Sequence, residues 1–224
     1  MANDLLPAVE IETRPNPDAA VIWMHGLGAD GNDFVPIVGE LDLPADIGIR
    51  FVFPHAPTRP VTINGGFVMR AWYDIVGADL TNRGDERGIR DSQQRIEQLI
   101  AREKGRGIAA SRLVLAGFSQ GGVIALQTGL RHPERIAGIM ALSTYLALPQ
   151  HLAAEAAAAN RDVPIFMGHG NSDTMIRPEW ADASRRALEA AGYAPEWHVY
   201  PMAHSVCMDE VADVSAWLGR VLAR

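Results

Sequence analysis

Apolar residues gather along the chain in short runs separated by longer stretches of helical period. The runs are Val9–Thr13, Ala20–His25, Ile49–Phe53, Arg112–Phe118, Ile136–Leu142, Val163–Gly168 and Glu196–Tyr200. Those in the middle are apolar almost throughout, the pattern of strands buried on both faces of a parallel sheet. Between them, Ile89, Ile96, Leu99 and Ile100 mark one face of a helix ending near Lys104-Gly105. Val123, Leu126 and Leu130 mark a second, stopped by His132-Pro133. Pro178 suits the first turn of a helix running towards Ala191-Gly192. Val206, Val211, Val214, Trp217, Leu218 and Val221 form the apolar stripe of a last one. This alternation predicts α/β architecture, a mostly parallel central sheet flanked by helices, in one domain over residues 1–224. From Pro54 to Leu80 the alternation fails: prolines, Asn64-Gly65-Gly66 and a cluster of Phe67, Met69, Trp72, Tyr73 and Ile75 predict an irregular functional segment.

Chemistry enters at Gly117-Phe118-Ser119-Gln120-Gly121, a G-x-S-x-G sequence between the apolar run Leu113-Val114-Leu115-Ala116 and a helical pattern. A serine on a tight strand-to-helix turn presents its hydroxyl at the carboxyl edge of a sheet, with a helix N-terminus behind it. Ser119 is therefore the candidate nucleophile of an α/β-hydrolase fold. That fold orders its residues as serine, acid, histidine. His25 and His55 precede Ser119. His132 ends a helix, where it is expected to cap carbonyls; His151 lies on a surface helix and His198 inside a strand. His169 has no strand-end acid between it and Ser119, whereas His204 has Asp173. Asp162 and Asp182 are the rival acids, one before its strand and one on a helix. The expected set is thus Ser119, Asp173 and His204, with His204 as base and Asp173 fixing its tautomer.

Gly26-Leu27-Gly28-Ala29-Asp30-Gly31 reads literally as G-x-G-x-x-G, the fingerprint of a nucleotide-binding oxidoreductase. That reading requires an acid at the end of the second strand. The strand at Ile49–Phe53 runs instead into Pro54-His55. A glycine-rich loop there serves a hydrolase better, supplying one backbone N–H to a tetrahedral oxyanion, with the residue after the nucleophile supplying another. The expected donors are Leu27 and Gln120. Apolar residues near the site, Phe67, Trp72, Tyr145, Met175 and Ile176, predict contact with an apolar acyl group.

A net charge of −7 offers no general attraction to nucleic acid or anionic lipid, and the basic residues from Arg83 to Arg106 alternate with acids as on a solvated surface. Cys207 is the only cysteine, which rules out an intramolecular disulfide; it is expected in the first turn of the last helix as a small buried group. No apolar run approaches the roughly 18–20 residues of a membrane span, and the first residues lack the pattern of a secretory signal. A cytoplasmic enzyme without membrane insertion is the expectation.

Together, His25-Gly26-Leu27-Gly28-Ala29-Asp30, Phe53-Pro54-His55-Ala56-Pro57, Met69-Arg70-Ala71-Trp72-Tyr73-Asp74, Gly117-Phe118-Ser119-Gln120-Gly121-Gly122, His169-Gly170 with Asp173, and Met202-Ala203-His204 resemble the phospholipase/carboxylesterase family, which includes acyl-protein thioesterases. The resemblance runs through nearly the whole chain. It implies an α/β-hydrolase without a large cap domain, no cofactor, and the same roles for Ser119, Asp173, His204, Leu27 and Gln120. It places the Gly65–Ile75 segment beside an acyl-binding groove. It implies carboxylic esters of short to medium chain as substrates, or, as alternatives, acyl-protein thioesters or lysophospholipids of longer chain, and it is compatible with a homodimer. Ala203 stands where many relatives have glycine, an exchange of one small residue for another.

Overall fold

The computed structural model describes residues 5–77 and 85–223, so Leu80, Arg83 and the first four residues lie outside the described residues. The strands are β1 (Ala8–Glu12), β2 (Ala19–Met24), β3 (Ile49–Pro54), β4 (Thr58–Val61), β5 (Phe67–Arg70), β6 (Leu113–Phe118), β7 (Gly138–Leu142), β8 (Ile165–Gly170) and β9 (Glu196–Tyr200). The helices are α1 (Glu86–Gly105), α2 (Gln120–Gly129), α3 (Pro149–Glu155), α4 (Pro178–Ala190) and α5 (Met208–Val221). Seven strands form one sheet in the order β1-β3-β2-β6-β7-β8-β9. Only β1 runs antiparallel to its neighbour; the other pairings are parallel. All seven apolar runs are strands of this sheet, with ends moved by two residues at most. The fold is that of an α/β-hydrolase.

Alternate residues of each strand feed opposite faces. On β6, Leu113 and Leu115 join a core with α1, α2 and α4, while Val114 and Ala116 join a second core with Val214, Trp217 and Leu218 of α5. Strand order reverses between β2 and β6. A crevice therefore opens outside their carboxyl ends, where open α/β sheets bind ligands.

The segment read as irregular from Pro54 holds a hairpin, β4 paired antiparallel with β5, turning through Gly65 at φ 66°. Its strands are four residues each, and Pro60 sits inside one of them. A proline lacking an N–H argues against a strand in sequence, yet it is tolerated in a two-stranded ribbon where that edge is unpaired. Cys207 also departs from expectation. It is the half-buried, extended residue immediately before α5, not a member of the helix's first turn.

Glu210, in the first turn of α5, is fully buried, and neither carboxylate oxygen finds a hydrogen-bond partner among the described residues. It occupies the space a side chain on Gly168 would need. Burial, with Asp213 adding like charge, pushes its pKa up to about 8. The unfolded chain, at the ordinary 4.5, releases this proton first. Stability is therefore lost as pH rises from 4.5 towards 8, and below 4.5 no penalty remains. Glu210→Gln cannot ionise, and is expected to gain about 3.5 kcal/mol more over the natural protein at about pH 8 than at about pH 5. Paired urea denaturation curves measure the difference; an equal shift at both pH values contradicts it.

Candidate active site

Ser119 follows β6 directly and precedes α2, with φ 54° and ψ −118°. A side chain at positive φ is strained. The structure holds it from both sides: the Ser119 N–H donates to the Leu142 carbonyl at 2.9 Å, and Thr144 Oγ1 donates to the Ser119 carbonyl at 2.6 Å. The glycines around it are required by contact, because a Cβ on Gly117 would overlap the Gly121 backbone and one on Gly121 the Met24 carbonyl. Leu27, on the loop after β2, lies across the same crevice. Neither its N–H nor that of Gln120, the first residue of α2, bonds to another described residue outside regular secondary structure, and the first amides of a helix have no partner within it.

Asp173 and His204 meet at the same sheet edge. His204 Nδ1 lies 2.7 Å from Asp173 Oδ2, and Asp173 Oδ1 accepts the N–H groups of Met175 at 2.8 Å and Ile176 at 2.9 Å. A buried carboxylate with these donors is held in one orientation. With Nδ1 bonded to the acid, His204 keeps Nε2 for the cleft. The Phe118 ring packs on the imidazole, centroids 4.7 Å apart. Ser119 Oγ makes no hydrogen bond to His204 here, although both line one cleft of about 470 Å³. Such contacts often tighten only when substrate binds.

The other histidines are occupied elsewhere. His169 is buried, sits 3.6 Å from Asp173 Oδ2 and bonds through Nε2 to the Ile176 carbonyl at 2.9 Å; burial lowers its pKa. His132 does not cap α2 carbonyls with its ring: Nδ1 pairs with Glu97 at 2.8 Å, thirty-five residues away in sequence. His198 stacks on Phe166, and His151 is half-buried, 3.8 Å from Glu86. Asp162 pairs with Arg135, and Asp182 with Arg185 and Arg186.

Of the residues expected against an acyl group, Tyr145, Met175 and Ile176 line the cleft. Phe67 is 68% exposed on the hairpin and is not part of the wall. Trp72 is completely buried, one layer away from the wall, bonded to Gln120 and His25. Ile63, Met69, Tyr73 and Ile75 take their place, and the aromatic-rich stretch that contains three of these was the signal available in sequence. Tyr145 also borders a second cavity of about 470 Å³, walled by Leu146, Leu148 and Trp180. The G-x-G-x-x-G loop leads into a short 3-10 helix, Val35–Glu40, and not into the long helix whose N-terminus would hold a pyrophosphate. Among the described residues, no group of three His, Cys, Asp or Glu converges as a metal site, and no helix is long and apolar enough to cross a membrane.

Comparison with known proteins gives this constellation a context. Residues 7–222 match the model of a family described as phospholipase/carboxylesterase. The chain is 35% identical over 217 residues to acyl-protein thioesterase 1 of Yarrowia lipolytica, covering 95% of this chain and 96% of that protein. It is 37% identical over 223 residues to acyl-protein thioesterase 1 of Neurospora crassa, covering 96% and 89%. The crystal structure of Arabidopsis thaliana SOBER1 superposes with a TM-score of 0.86 at 28% identity, covering 91% of this chain and 99% of that one. A sheet reversed at β2 and β6, a strained serine at that reversal and a match over nearly the whole length agree: the chain belongs to the phospholipase/carboxylesterase family and is a carboxylic ester hydrolase.

Proposed function

We propose that the protein is a serine carboxylesterase acting through an acyl-enzyme on Ser119, with short- to medium-chain esters as substrates. Ser119 Oγ attacks the carbonyl carbon while His204 Nε2 takes its proton. The carbonyl π pair moves to oxygen, where the Leu27 and Gln120 N–H groups receive it. Collapse expels the alcohol, which takes the proton back from His204. Water then repeats the sequence on the acyl-enzyme and releases the acid. Asp173 holds the imidazole and stabilises its charged form. Tyr145, Met175 and Ile176 contact the acyl chain. The reading takes residues 1–224 as one domain working in the cytoplasm without a cofactor. The observation that carries it is the 2.7 Å contact of buried Asp173 with His204, which lines the same cleft as Ser119.

A second reading, an acyl-protein thioesterase for longer chains, is favoured by the cavity on the far side of Tyr145 and by the names of the relatives. One experiment addresses both. A fluorophosphonate probe is expected to add once, on the peptide containing Ser119, and an adduct elsewhere contradicts the mechanism. Rates for esters and matching thioesters from acetyl to palmitoyl then separate the readings: a maximum among the shorter esters supports the first, and a climb to palmitoyl thioester supports the second.

A further inference from the structure

Leu27 and Gln120 belong to different elements, so the distance between their N–H groups is set by whatever joins the loop after β2 to the start of α2. The β2–β6 ladder ends at Met24 and Gly117, short of both residues. Beyond that point Gly121 packs on the Met24 and His25 carbonyls, and Trp72 adds a hydrogen-bonded link between the two segments. Its indole Nε1–H donates to the His25 carbonyl at 2.9 Å, and its backbone N–H donates to Gln120 Oε1 at 3.0 Å. Gln120 Nε2 in turn donates to the Tyr73 carbonyl at 2.8 Å. Ser92 Oγ donates to the Trp72 carbonyl, tying the bridge to α1. His25, Trp72, Ser92 and Gln120 are all buried, so water does not compete for these bonds.

His25 adds an orientation. The Ala56 N–H donates to His25 Nε2 at 3.1 Å, which makes that nitrogen the acceptor and assigns the ring proton to Nδ1. Nδ1 then donates to the Gly26 carbonyl at 2.7 Å. Burial holds the ring's pKa down to about 4, so it stays neutral in this arrangement. The Gly26 carbonyl and the Leu27 N–H share one planar trans peptide and point in opposite directions. Holding the first aims the second.

We propose that Trp72 and His25 are positioning residues of the oxyanion hole: Trp72 fixes the separation of the two donor segments, and His25 fixes the plane of the Gly26–Leu27 peptide. The inference rests on the oxyanion roles proposed for Leu27 and Gln120. Neither Trp72 nor His25 lines the cleft, so each acts through a backbone that does.

Trp72→Phe removes the indole N–H and keeps an aromatic ring. With active sites counted by complete fluorophosphonate titration, kcat per site is expected to fall about tenfold to a hundredfold, with KM little changed. Affinity for a trifluoromethyl ketone, whose adduct with Ser119 Oγ carries a charged oxygen, is expected to fall in proportion. A purely structural role would lower Tm and the titratable fraction while leaving kcat per site and ketone affinity as they were, and that result overturns the proposal. Should Trp72→Phe fail to fold, Gln120→Leu cuts the other end of the bridge while keeping the Gln120 backbone N–H, and the same pattern is expected. Activity surviving in Ser119→Ala would defeat the underlying mechanism. A dead Ser119→Ala, with both bridge variants at natural kcat and ketone affinity, would defeat this inference alone.

Discussion

Ser119→Ala is expected to lower kcat for short p-nitrophenyl esters by roughly 10⁵–10⁶-fold. Removing the hydroxyl removes the acyl-enzyme route and leaves only the residual assistance of the amide donors and of binding. KM is expected to change little, because the substitution removes a single oxygen and leaves the other side chains lining the cleft in place. The loss belongs to the transition state alone. Stability is expected to stay near that of the natural protein, since alanine meets the same backbone angles and the carbonyl of residue 119 still accepts from Thr144. Steady-state kinetics and a thermal melt on one preparation measure both. A variant retaining more than about a hundredth of the activity would remove Ser119 from its proposed role.

Gly121→Ala is expected to cost the fold roughly 4 kcal/mol or more, enough to leave little native protein. The added methyl would overlap the Met24 carbonyl and crowd that of His25. These are backbone atoms at the end of a central strand, paired on both sides, so relief by a side-chain rotation is not available. The helix would have to lift away from β2, separating Gln120 from Leu27. Soluble yield and denaturant midpoint measure the outcome; a midpoint within about 1 kcal/mol of the natural protein would show that the contact relaxes cheaply.

These effects concentrate where the sequence is most readable. The strand at Leu113–Phe118 declares itself because a segment buried on both faces is continuously apolar, and the glycines beside Ser119 declare themselves because only glycine fits there. Asp173 and His204 are readable through order and strand ends alone. The short hairpin is not. Four-residue strands give too few positions for a period to emerge, and Pro60 argues against them. Trp72 illustrates a different limit. Within an irregular segment, nothing in the sequence separates an aromatic that faces a ligand from one that faces inward, and here the indole N–H is held by His25, 47 residues away, and the backbone N–H by Gln120, 48 residues away. His132 fails for the same reason: a helix-end histidine suggests a local cap, while its actual partner, Glu97, is supplied by another helix. Periodicity reports burial; it does not report which distant group a polar atom finds.

The backbone angles at residue 119 have a consequence for how this lineage can change. A non-glycine residue at φ 54° and ψ −118° carries a standing penalty of roughly 1–3 kcal/mol, and glycine there would relieve it. A descendant relieved of its hydrolytic task would drift towards glycine at this position, gaining stability as it lost chemistry. Mutation pressure alone does not preserve a serine on such a turn. The strain at residue 119 marks the position where stability and the proposed chemistry pull in opposite directions.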